Sequence, residues 1–88
     1  MAAYWRINDI RVIEDNAVWV HFIDGLEGVV RFQPGFFRGV FSHLVDPAQF
    51  RRVAVVNGAV TWPGDLDLAP DAMHMEIKQR GGEWVVDA

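Results

Sequence analysis

Any chemistry in this sequence has to come from few side chains: three histidines, one serine and a run of closely spaced carboxylates, with no cysteine at all. His21, His43 and His74 are the groups suited to proton transfer near neutral pH. None lies four residues from another or within a His-Glu-x-x-His frame, so no metal-binding pair arises on a helix face. A structural or surface role is the commoner one for each. Ser42-His43 sets a hydroxyl beside an imidazole, yet adjacent residues of a helix or strand point in different directions, and no Gly-x-Ser-x-Gly elbow surrounds Ser42. Asp65-x-Asp67, with Asp71 further on, could grip a divalent cation or share acid and base work. The same residues fit a turn followed by a helix cap, and a calcium loop of the EF-hand kind would need a third ligand, a glycine at its bend and a distal glutamate. Asp24-Gly25-Leu26-Glu27-Gly28 has the glycines of a phosphate loop but leads into strand-like residues rather than a helix, so both glycines read as turn formers. No cofactor is implied.

Composition narrows the field further. The absence of cysteine removes disulfides, thiolate zinc sites, iron–sulfur clusters and cysteine nucleophiles. A formal net charge of −4 disfavours a phosphate backbone, whose non-specific affinity comes from Lys and Arg displacing counterions. Arg51-Arg52 with Arg38 upstream reads as a solvated face rather than a nucleic-acid patch. Charged residues recur every few positions, so no membrane helix is expected, and the start MAAYWRIND lacks the apolar run of a secretory signal. The cytoplasm is the expected compartment. With 51 % hydrophobic residues in 88, the chain has enough apolar surface for one core and too little length for two. A single α+β domain over 1–88 is expected, its core spanning about 5–79.

The elements that must position these side chains follow from periodicity. Ile10 and Val12 alternate with Asp9 and Arg11; Val18, Val20 and Phe22 alternate with Trp19, His21 and Ile23; Val30 and Phe32 alternate with Val29 and Arg31. Period-two patterns joined by the turns at Glu14–Ala17 and Asp24-Gly25 predict a three-stranded antiparallel meander. An odd-numbered first loop is expected, because it sets Ile10 and Val12 on the face of Val20 and Phe22. Phe37, Phe41 and Leu44 mark one helical stripe, while Gly35 and Gly39 allow instead a turn of helix on each side of a bend. Asp46-Pro47 reads as an N-cap and first helical residue. Asn57-Gly58 predicts a type I′ hairpin pairing Val55 with Val60 and Val53 with Trp62 on one face, and Ala54 with Thr61 on the other. Pro70-Asp71 opens a helix with Met73 and Ile77 on one side, stopped by Gly81-Gly82. Residues 80–88, with Trp84, add an edge strand or remain a tail.

The ordered succession of Phe22-Ile23-Asp24-Gly25, Gly28, Phe41 to Leu44, Asp46, Phe50, Val53 to Val55, Gly58, Val60, Trp62-Pro63-Gly64, Asp67 and Pro70-Asp71 resembles domain-of-unknown-function family 2442. That resemblance covers about Ile7 to Met75 and implies a small prokaryotic α+β domain without known catalytic residues. It also implies genes set beside another small protein, and fusion in some members to a helix-turn-helix. The Gly-Gly-Glu-Trp-Val-Val end has no counterpart in that pattern. Acidic charge, abundant aromatics and no assembled catalytic set point to a non-catalytic protein-interaction module, the antitoxin-like or regulatory half of a two-gene pair. Its expected partner is a protein or a second copy of the chain, not nucleic acid or membrane. Trp19, His21 and Trp84 are its candidate contact residues. The alternative is a small enzyme or metal-binding protein using Asp65, Asp67 and Asp71.

Overall fold

A computed structural model describes residues 3–86 of the chain. The ends of the expected domain, Met1-Ala2 and Asp87-Ala88, lie outside the described residues. Strands β1 (Ile7–Glu14), β2 (Ala17–Phe22) and β3 (Glu27–Phe32) form the expected antiparallel meander. Ile10 faces Val20 and Val12 faces Val18, so the apolar sets coincide as the alternation required. They coincide by a different device from the odd loop: the turn is the two-residue Asp15-Asn16, and a bulge between Val12 and Glu14 adds the odd residue to β1.

The segment after β3 takes the bent alternative. Short 3₁₀ turns cover Pro34–Phe36 and Gly39–Val45 on either side of Phe37-Arg38, and Gly39 sits at φ 55°, which a continuous α-helix forbids. Helix α1 (Pro47–Phe50) is capped as expected, its Asp46 carboxylate accepting the Ala48 N–H at 3.0 Å. Strands β4 (Ala54–Val56) and β5 (Ala59–Trp62) meet in the predicted register around Asn57 and Gly58, at φ 52° and 78°. A two-residue strand β6 (Leu66–Asp67), not foreseen, pairs with β5. Helix α2 (Pro70–Gln79) buries Met73, His74 and Ile77. Gly81 and Gly82, at φ 76° and 118°, end it and turn the chain into β7 (Glu83–Val86), which runs parallel to β3.

The result is a four-stranded sheet in the order β1-β2-β3-β7 and a three-stranded sheet in the order β4-β5-β6. The α2 helix completes a βαβ-like return from the second sheet to the first. One core joins them: Val18, Val20, Phe22, Val30 and Phe32 from the large sheet meet Val60 and Trp62 from the small one, with Phe50, Leu44, Met73 and Ile77 closing the sides. Gly28 is not the turn residue its sequence context suggested. It lies inside β3, and a Cβ there would stand 2.5 Å from Ile77 Cγ2 and 2.6 Å from the Gly82 carbonyl oxygen. A bare backbone lets α2 and the following turn approach the sheet. Among the described residues no helix is long and apolar enough to cross a membrane.

Candidate functional site

Among the described residues, the large sheet has helix and second sheet on one face only. Its other face is built by the alternate residues of the same strands. Cross-strand pairing sets Arg11, Trp19, Val29 and Glu83 in one row and Asp9, His21 and Glu27 in the next. Cross-strand neighbours on one face lie close enough for side chains to touch, and here they do. The Arg11 guanidinium lies 5.4 Å from the centre of the Trp19 ring, within cation–π range. His21 stacks on Trp19 at 6.0 Å between ring centres, the planes 24° apart. The His21 Nδ1 stands 2.6 Å from Asn8 Oδ1, within hydrogen-bond distance. The Trp19 indole N–H donates to Glu27 Oε1 at 3.3 Å.

These contacts hold the rings in place without covering them. Trp19, His21 and Val29 are half-buried, Ile13 on the bulge is 48 % exposed and Val85 40 %. Arg11, Ile13, Trp19 and Val29 line one shallow apolar depression on this face. Arg31 bridges Glu14 at 3.0 Å and Glu83 at 3.1 Å and so links β3 to both margins of the sheet. With Asp9, Glu14, Glu27 and Glu83 against Arg11 and Arg31, the face is acidic overall. Tryptophan and arginine are among the side chains that most often concentrate binding energy at protein interfaces.

The other candidates are dispersed. Trp84 opposes Val30 on the inner face and packs, half-buried, against the core, so it does not share a surface with Trp19. Asp65 and Asp67 border a depression with Trp5 and Thr61, whereas Asp71 borders a separate one with Tyr4 and Lys78 and accepts the Ala72 N–H. The three carboxylates are therefore not brought together, and no group of metal-ligating side chains converges among the described residues. Ser42 and His43 are exposed on the 3₁₀ turn. Arg38 and Arg52 are exposed as well, and Arg51 is engaged by Asp15 at 3.1 Å. Arg11, Ile13 and Val29 were not singled out from sequence. Pairing Ile10 with Val20 already places Arg11 beside Trp19, so that signal was present.

Among the described residues His74 is the one buried polar residue of the core, 4 % exposed, with Phe22 and Tyr4 edge-on to its ring at 4.8 and 5.0 Å. Its Nε2 meets Asp24 Oδ2 at 2.8 Å, which fastens α2 to the β2–β3 turn. The Leu26 backbone N–H, then His74, hold the Asp24 carboxyl below its usual pKa. A carboxyl depressed in the folded state stabilises above the unfolded pKa, and that contribution is lost as pH falls through the folded value. Asp24→Asn should therefore remove part of the fall in stability below pH 3.8, the ordinary value, while lowering stability at neutral pH. Urea melts of both proteins across an acid series measure this, and parallel curves would exclude the latch.

The family model described as "Protein of unknown function (DUF2442)" matches residues 7–79, which is most of the chain. No curated protein and no solved structure matches it. The matched region takes in the meander, the hairpin and all of α2, and stops before β7.

Proposed function

The chain belongs to the DUF2442 family, and from that premise we propose that it is a non-catalytic protein-interaction module that receives a partner on the outer face of its four-stranded sheet. The observation that supports this reading is the Arg11, Trp19 and His21 cluster, ordered in advance on a sheet face that, among the described residues, no other element covers. Pre-ordering matters because side chains fixed before association lose less entropy on binding. The acidic balance of the face and of the whole chain, −4, favours a basic partner through charge complementarity and a faster encounter. A regulatory, antitoxin-like member of a pair of small proteins, working in the cytoplasm, fits these features. Asp71 borders a different depression from Asp65 and Asp67, which weighs toward the interaction reading over the metal-enzyme one.

The test is capture of partners from the host lysate by tagged wild-type chain, Trp19→Ala and, as a control on the opposite side, Met75→Ala. Trp19→Ala should stay folded by circular dichroism and lose the partner at least tenfold, since a central interface tryptophan is worth about 2 kcal/mol or more. Met75→Ala should keep it. A partner held equally by all three would place the interface elsewhere.

A further inference from the structure

Sheets are joined to other chains at edges that nothing guards, and the edges of this fold are guarded unequally. The β1 edge has a register shift near each end, charged Asp9, Arg11 and Glu14 along it, and its first N–H, that of Ile7, already donates to Gly58 of the neighbouring hairpin at 2.9 Å. The β6 edge is two residues long. The β7 edge has no bulge, no proline and no lysine, and its single charge, Glu83, is neutralised by Arg31 of the same chain at 3.1 Å.

The backbone phase of β7 is fixed by its bonds to β3. Val29 N–H donates to Gly82 C=O and Gln33 N–H to Val86 C=O, both at 2.8 Å. Even-numbered residues thus turn their polar groups toward β3, and the N–H and C=O groups of Glu83 and Val85 point away from the sheet. Their side chains both lie on the outer face.

We propose that two copies of this chain pair antiparallel along the β7 edge about a two-fold axis through Trp84, forming one continuous eight-stranded sheet. In that register Glu83 of each copy lies opposite Val85 of the other, and each such pair exchanges both backbone hydrogen bonds, so every outward donor and acceptor of the two residues is satisfied. No like charges oppose each other. The two Trp84 rings meet on the inner face at a non-hydrogen-bonded position, where side chains approach most closely. Four-residue strands bury less than a standard interface, so the dimer is weak and depends on concentration. It sets two Trp19 stacks on one outer face, although the pairing stands or falls separately from partner docking there.

Sedimentation equilibrium of the full chain from micromolar to millimolar concentration tests the pairing. The mass should rise from 10.0 kDa toward twice that value. Amide exchange should show Glu83 and Val85 becoming protected over the same range while Trp84 stays protected throughout. Val85→Pro removes an outward N–H that the monomer does not use and should abolish the rise. Val85→Glu, set opposite Glu83 of the other copy, should weaken association about tenfold, and Val85→Lys should not. Circular dichroism confirms that each variant is folded. A mass constant at 10.0 kDa, a dimer indifferent to Val85→Pro, or equal effects of Glu and Lys would each overturn the proposal. Protection of Glu83 and Val85 only on adding an extended peptide would overturn it too, by assigning the edge to a different chain.

Discussion

Trp62→Ala is expected to cost about 3–5 kcal/mol, the usual range for deleting a large buried aromatic, and to leave much of the protein unfolded at 37 °C. Trp62 is 1 % exposed and stands where the two sheets meet, with Phe50 and Phe32 at 5.8 and 5.9 Å between ring centres and Phe36 and Phe41 a little further out. Its indole N–H donates to the Phe50 carbonyl at 2.9 Å, the bond that ties α1 to β5. Truncation therefore opens a cavity and leaves the Phe50 carbonyl only the longer bond from the Val53 N–H at 3.3 Å. Domains of this size have only about 5–15 kcal/mol in total, usually toward the lower end. Trp62→Phe separates the two effects: it retains most of the packing and loses the hydrogen bond, and should cost about 1–3 kcal/mol. Guanidinium melts of the three proteins give both numbers, and a Trp62→Ala penalty below that of Trp62→Phe would exclude this account. At a temperature where Trp62→Ala is still folded, partner capture should match wild type, because Trp62 faces away from the Trp19 surface.

The residues that made Trp62 legible as a core position were local. Asn57-Gly58 imposes a two-residue turn, and a two-residue turn leaves one register, from which Val60 and Trp62 fall on the inner face. The same holds for Met73 and Ile77 on α2 and for Asp46 as a cap, where a few neighbouring residues decide the outcome. Positions decided by distant contacts were not legible in this way. The bulge at Ile13 arises because a two-residue turn and a shared apolar face conflict, and the sequence shows the conflict without showing how it is resolved. The 3₁₀ segment around Gly39 was open between two forms until packing of Phe36 and Phe41 on Trp62 chose one. Trp84 gave no hint of its face, since a parallel partner 54 residues earlier sets it. For the candidate site, alternation alone put Trp19 and His21 outside, while the company of Arg11 and Val29 required the pairing of strands.

Gly28 is the case in which local reading and tertiary contact disagree most, and Gly28→Ala tests which governs. Alanine in a strand is ordinarily favoured over glycine by about 0.5–1 kcal/mol, because glycine loses more backbone entropy on folding. Here the added methyl would meet Ile77 Cγ2 at 2.5 Å and the Gly82 carbonyl oxygen at 2.6 Å. A side-chain methyl can rotate aside, but the carbonyl belongs to the turn that delivers β7 and accepts the Val29 N–H, so it can yield only by moving the turn. The sign is therefore expected to reverse, with Gly28→Ala destabilising by about 1–3 kcal/mol as overpacking does. Ile77→Ala in the same chain should relieve part of the clash, so the double variant should lose less than the sum of the singles, a coupling of about 0.5 kcal/mol or more. The carbonyl contact would remain, and rescue should be incomplete. Because the displaced turn leads into β7, the Trp84 and Val86 amides should exchange faster in Gly28→Ala than those of β2, which the substitution does not touch. Stability equal to or above wild type would mean that Gly28 is dispensable to the approach of α2, and that β7 is held by its pairing with β3 alone.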